Sequence, residues 1–190
     1  MLLPVMASGA QAQSNLELEV RGDVNLPTGD FSEPTGLDAD AKLGFGALLF
    51  LPVRSRISLY GGGGQEYFDC EDCPGDDDEV ITSGFEAGVK IPLPAEDTPL
   101  HPWVRAGLVY YTVDVTRGGL EAESDWNLGF QAAAGLEFPV GERFSIAPGI
   151  RYQTFSAELD DPGIDVPSLE SDVSYFSFDL GLRFKLKSME

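Results

Sequence analysis

The chain has 190 residues, 32 of them acidic against 12 basic, for a formal net charge of −20. Such a charge repels a polyanion and excludes nucleic acid as a partner. Apolar residues make up 43%, yet no run approaches the ~18 uninterrupted apolar positions of a membrane helix, and the length suits a single domain.

Residues 1–12 have the look of the tail of an export signal. Leu2 to Ala7 is a short apolar core, and Ala10-Gln11-Ala12 is a small-x-small cleavage site. The remainder, 13–190, is expected to form one domain. Eight segments of alternating polarity follow. The first, Asn15 to Leu26, sets Leu16, Leu18, Val20, Val24 and Leu26 against Glu17, Glu19, Arg21 and Asp23. The second, Ala41 to Leu51, sets Leu43, Phe45, Ala47, Leu49 and Leu51 against Lys42, Gly44 and Gly46. Successive side chains of a strand point to opposite faces, so each segment has one bulky apolar face and one that is small or charged.

The third segment, Ile57 to Phe68, runs through four glycines, Gly61 to Gly64. These predict either a bend or close approach at a barrel wall, or a loop that splits the strand. The fourth, Val80 to Ile91, alternates Phe85, Ala87, Val89 and Ile91 with Glu86 and Lys90. In the fifth, Trp103 to Thr116, Arg105 and Gly107 oppose Val104, Ala106, Leu108 and Tyr110. Trp126 to Phe155 is the clearest stretch: two alternating arms around the turn Pro139-Val140-Gly141-Glu142-Arg143. The last segment, Ser174 to Leu186, places Phe176, Phe178, Leu180, Leu182 and Phe184 opposite Ser177, Asp179, Gly181 and Arg183.

An even number of such segments, joined by connections that alternate long and short, predicts an all-β, eight-stranded antiparallel up-and-down barrel. Closure leaves no exposed sheet edge. Most acidic residues fall in the four long connections, where Arg117 is the only basic residue. Outer-membrane barrels have short periplasmic turns and longer extracellular loops, so the acidic end is expected outside. Trp103, Tyr110, Tyr111, Trp126, Phe138, Phe144, Tyr152 and Tyr175 lie near segment ends, where aromatic girdles meet the membrane interfaces. A soluble lipocalin-like ligand carrier would need the glycine- and alanine-rich face to meet water. It would also want a C-terminal amphipathic helix, and the sequence offers none.

With the segments placed, the chain resembles the small eight-stranded outer-membrane barrels of the OmpA, OmpX and opacity porin type. The specific pieces are Gly135 to Gln153, GLEFPVGERFSIAPGIRYQ, and the aromatic-alternating final segment. One departure is the ending: such barrels usually finish on an aromatic residue, whereas here Phe184 is followed by KLKSME. The resemblance implies the bacterial outer membrane and a filled, polar interior; contact with lipid and lipopolysaccharide, insertion by the barrel-assembly machinery and a monomer are expected with it. It does not imply one activity.

The charges expected on the interior face are Glu17, Glu19, Arg21, Lys42, Glu86, Lys90, Arg105, Glu137, Arg151, Asp179 and Arg183. An eight-stranded lumen is only wide enough to be filled by side chains, and buried charges must be paired. A salt-bridged plug is one reading, and a narrow gated path for water, ions or small solutes the other. Cys70 and Cys73 flank two acidic residues. A redox motif wants a βαβ unit and a zinc site wants four ligands, so a loop-closing disulfide is expected instead. The acidic run Asp76 to Glu79 offers oxygens for divalent cations but lacks the spacing of a dedicated calcium loop. The single histidine, His101, lies in a short connection at the end away from outer-leaflet substrates. No catalytic residue, metal site or cofactor is assigned, and a non-enzymatic role in the envelope is expected.

Overall fold

The computed structural model describes residues 16–32, 39–54, 56–70, 79–95, 98–117, 120–159 and 169–186. Residues 1–12 and Cys73 lie outside them, as does Cys70's side chain, so the export signal and the disulfide fall beyond the described structure.

Ten strands follow in order: β1 (Glu17–Pro27), β2 (Ala39–Asp40), β3 (Lys42–Arg54), β4 (Ile57–Cys70), β5 (Glu79–Pro92), β6 (His101–Arg117), β7 (Leu120–Glu123), β8 (Asn127–Pro139), β9 (Phe144–Leu159) and β10 (Leu169–Lys185). The eight long ones pair with their neighbours in an antiparallel circuit, and β1 closes it by pairing with both β3 and β10. The short β2 and β7 lie outside that circuit, extending the walls of β4 and β6 at the long-connection end. Among the described residues no helix is long and apolar enough to cross a membrane.

Alternation explains the wall. In β10, Phe176, Phe178, Leu180 and Leu182 are exposed while Tyr175, Ser177, Asp179 and Arg183 are buried. The same switch recurs in β3, with Leu43, Phe45, Leu49 and Leu51 outward and Leu48 and Phe50 inward. The glycine run does not split its strand. Gly61 to Gly64 pair without interruption with β3 on one side and β5 on the other.

The interior is layered. Towards the long connections it is apolar: Phe68, Val80, Tyr111, Phe155 and Tyr175 pack together. A single 3-10 turn, Gly29–Ser32, drops Phe31 onto them, its ring 4.7 Å from Phe68. At the opposite end Leu48, Phe50 and Tyr60 form a smaller cluster. Charged side chains lie between.

Three of the eight expected girdle aromatics belong to this interior instead. Trp103, Tyr111 and Tyr175 are buried and face inward. Strand position was a sound guide to height, but parity decides the side, and these three share parity with the interior charges. On the outer surface Trp126 stacks on Tyr110 at 5.0 Å and on Phe85 at 5.8 Å. Phe144 meets Phe184 edge-on at 5.0 Å at the other end.

The charged interior as candidate functional site

β1 is the spine of the site. Its inward face carries Glu17, Glu19, Arg21, Asp23 and Asn25 in succession, and every one of them meets a residue from another strand. Arg21 is ion-paired to Glu86 of β5 and lies 3.8 Å from Asp23. Arg183 of β10 pairs with Glu19 of β1 and Glu137 of β8, with Glu17 at 3.9 Å. Arg105 of β6 joins the circuit at 3.4 Å from Glu19 and 3.6 Å from Asp179. Lys90 of β5 donates to Glu137 at 2.8 Å.

Arg151 of β9 is the most crowded cation. Its Nη2 lies 2.9 Å from Glu66 Oε1, 3.3 Å from Asp23 Oδ2 and 3.5 Å from Asp179 Oδ1. Its Nη1 donates to Gln153 at 3.0 Å. Asn25 donates to Asp23 at 2.9 Å and to Glu66 at 3.2 Å, and Ser177 donates to Asn25. Gln131 of β8 reaches both Glu86 and the Tyr60 hydroxyl. The result is one connected layer across the barrel, with partners from seven of the eight wall strands. β3 contributes no charge to it. Its inward Gly44 sits so near the layer that an added Cβ would collide with Glu66 Oε2 and Asp23 Oδ1, so the missing side chain is what makes room for the carboxylates.

Towards the short turns the cations lie over aromatic faces. Lys90 Nζ is 5.5 Å from the ring centroids of Phe50 and Trp103, and the Arg183 guanidinium is 4.4 Å from Phe50. The Trp103 ring needs glycine beside it: a Cβ on Gly135 would collide with its Cζ2. Such contacts strengthen where water is excluded.

Of the eleven charges expected inside, Glu19, Arg21, Glu86, Lys90, Arg105, Glu137, Arg151, Asp179 and Arg183 meet in this layer, and Glu17 lies at its edge with its side chain 19% exposed. Lys42 does not. It sits at the long-connection rim, 2.7 Å from Asp69 and 3.6 Å from Glu79. Two buried acids were missing from the expectation, Asp23 and Glu66. Asp23 shares parity with Arg21 and was readable. Glu66 follows four glycines, which carry no side chain to show the phase.

Seven carboxylates in this layer share five cations. Every carboxylate in it contacts a guanidinium or ammonium, and His101 stands apart at the exposed start of β6. Among the described residues no cluster of three or more His, Cys, Asp or Glu side chains is arranged to hold a metal.

A closed antiparallel barrel with an apolar outer belt and a polar, ion-paired interior is an outer-membrane β-barrel protein. The sequence matches the outer membrane protein beta-barrel domain over residues 1–185, and the chain belongs to that family, which places it in the bacterial outer membrane. No curated protein matches it. Among solved structures it is similar to Neisserial surface protein A, 14% identical over 91% of this chain and 98% of that one, TM-score 0.64. It is also similar to OprG of Pseudomonas aeruginosa, 11% identical over 91% and 98%, TM-score 0.58. A third is Ail, the attachment invasion locus protein of Yersinia pestis, 13% identical over 90% and 99%, TM-score 0.51. At these identities the likeness is one of fold.

Proposed function

We propose that the protein is a non-enzymatic component of the outer membrane, sealed through its lumen, that acts by strengthening the envelope or by surface contact through its acidic outer connections. One observation carries the sealed lumen: the ion-paired layer spans the interior, and every charge in it lies against one of opposite sign. The aromatic layer capped by Phe31 adds a second, dry barrier above it. A permeant ion would have to break contacts that the interior makes to itself. Purified protein in planar lipid bilayers should therefore give no conductance steps in salt. Reproducible steps would show that the layer opens, and would turn the assignment to a narrow channel.

The long connections are placed outside, following the general orientation of such barrels. Their rim carries Asp40, Asp69 and Glu79, with Lys42 ion-paired to the last two. Divalent cations shared between this rim and lipopolysaccharide phosphates would tie the barrel to its surroundings. Millimolar calcium should then raise the melting temperature of the barrel in lipopolysaccharide-containing vesicles. An unchanged melting temperature removes that role.

A further inference from the structure

The glycine run of β4 has a second face. Outward, Gly63 stands in one register row with Val20, Ala47 and Phe85, and Gln65 stands in the next with Phe45 and Ser83. Small residues between large ones leave a groove of roughly 520 Å³ in the lipid-facing wall, with Phe45 and Phe85 as its sides. That is within the ~300–1,000 Å³ of ordinary small-molecule sites. Its lining is mainly apolar, except at one edge. There Gln65 Nε2 donates to Ser83 Oγ at 3.1 Å, and the Tyr67 hydroxyl donates to Gln65 Oε1 at 2.8 Å.

An outward amide at the margin of a membrane barrel's apolar belt is costly unless its hydrogen bonds are met. Among the described residues, the second Nε2 hydrogen of Gln65 and the Ser83 hydroxyl hydrogen have no acceptor. Depth says what could supply one. Gln65 lies four residues below Asp69 of the charged rim. At ~3.4 Å per residue and a tilt of ~45°, that is about 10 Å beneath it along the membrane normal. This is the level of the Trp126, Tyr110 and Phe85 aromatic stack, because Phe85 pairs with Tyr110 one rung below the pairing of Ser83 with Thr112. Headgroup linkages lie at that level, and hydrocarbon begins below it.

We propose that the groove holds one acyl chain of an outer-leaflet lipid, whose ester or amide carbonyl accepts from Gln65 and Ser83. The leaflet rests on the orientation proposed above; the groove and its chemistry do not. A second copy of this chain would have to set its own Gln65 and Ser83 against this rung to meet both donors. The groove opens directly on the lipid-facing belt, so no partner has to be displaced for a chain to enter.

Trp126 makes the site observable, since its ring stacks on Phe85 at 5.8 Å while Trp103 is buried in the interior. The full chain in detergent micelles would be titrated with a phosphatidylcholine brominated along its acyl chains, reading tryptophan quenching. Saturation at one lipid per barrel is expected. Ala47→Leu fills the groove from an exposed position on β3 and should convert saturation into quenching that merely follows lipid mole fraction. Gln65→Leu should keep the one-to-one end point but weaken binding several-fold. A heat-modifiability gel establishes that each variant remains a folded barrel. Unsaturable quenching of the parent, or identical titrations for parent and Ala47→Leu, would overturn the lipid site. So would sedimentation showing that the parent is a dimer and Ala47→Leu a monomer, which would assign the groove to a second copy. Equal affinity in Gln65→Leu would overturn the role of the polar edge. None of these outcomes bears on conductance, so the sealed lumen stands or falls separately.

Discussion

Arg151 carries more of the interior than any other residue. Three carboxylates lie within 3.5 Å of its Nη2, and removing the guanidinium leaves them buried together. Breaking a buried pair from one side costs about 3–5 kcal/mol, because an uncompensated charge stays behind. Arg151→Met should lower the unfolding free energy in urea, measured from lipid vesicles, by about that amount. The rim offers the control. Lys42 and Asp69 are 38% and 55% exposed, water screens them, and Lys42→Gln should change stability by only ~0–1 kcal/mol. Equal losses at both positions would mean that burial is not what matters. Parity along a strand is enough to tell that Arg151 and Asp179 point inward. It cannot tell that they meet, because their separation depends on the register between β9 and β10, where Asp179 lies opposite Gly149.

At the scale of the element, the β6–β7 hairpin stands clear of the aromatic level, with Asp114 half-buried and Glu123 exposed. Asp114 lies directly opposite Glu123. Partial burial, and then the Glu123 carboxylate, raise the Asp114 carboxyl above its usual range. A carboxyl raised in the folded state binds more protons there than when unfolded. The hairpin is therefore at its firmest in acid and loosens as pH rises from the ordinary aspartate value through the raised one. The protection factors against amide exchange at Val113 and Ser124, which are tied together by Ser124 N to Val113 O at 2.9 Å, should fall over that window. Asp114→Asn should flatten the dependence; an unaltered pH profile would show that the pair does not govern the hairpin. This hairpin was only half legible. The upper part of β6 is apolar on both faces, so period alone could not phase it, and β7 is only four residues long. The long strands were legible because one face meets lipid: Phe176, Phe178, Leu180 and Leu182 leave no other phase for β10. The interior aromatics Trp103, Tyr111 and Tyr175 were not, since an aromatic suits an interface and a core equally well.

At the scale of the whole molecule, the aromatic layer and the ionic layer do different work. Phe31 comes from a connection rather than from the wall, and its ring is fully buried against Phe68 and Tyr175. Phe31→Ala should cost about 3–5 kcal/mol as a cavity in a dry core, read as a lower urea midpoint. Its bilayer recordings should remain silent, because the charges beneath it stay paired. Steps appearing in Phe31→Ala alone would move the seal from the ions to the aromatic cap. The layout of β1 also bears on how the barrel is made. Its acids and its arginine find partners on β5, β6, β9 and β10, and its Asn25 on β4; β10 is the last of the wall strands in chain order. A growing sheet that still lacks its closing seam holds those charges without company, in a setting that tolerates them poorly. Partial sheets should then be scarce and short-lived, and the final edge-to-edge join should behave as an all-or-none event.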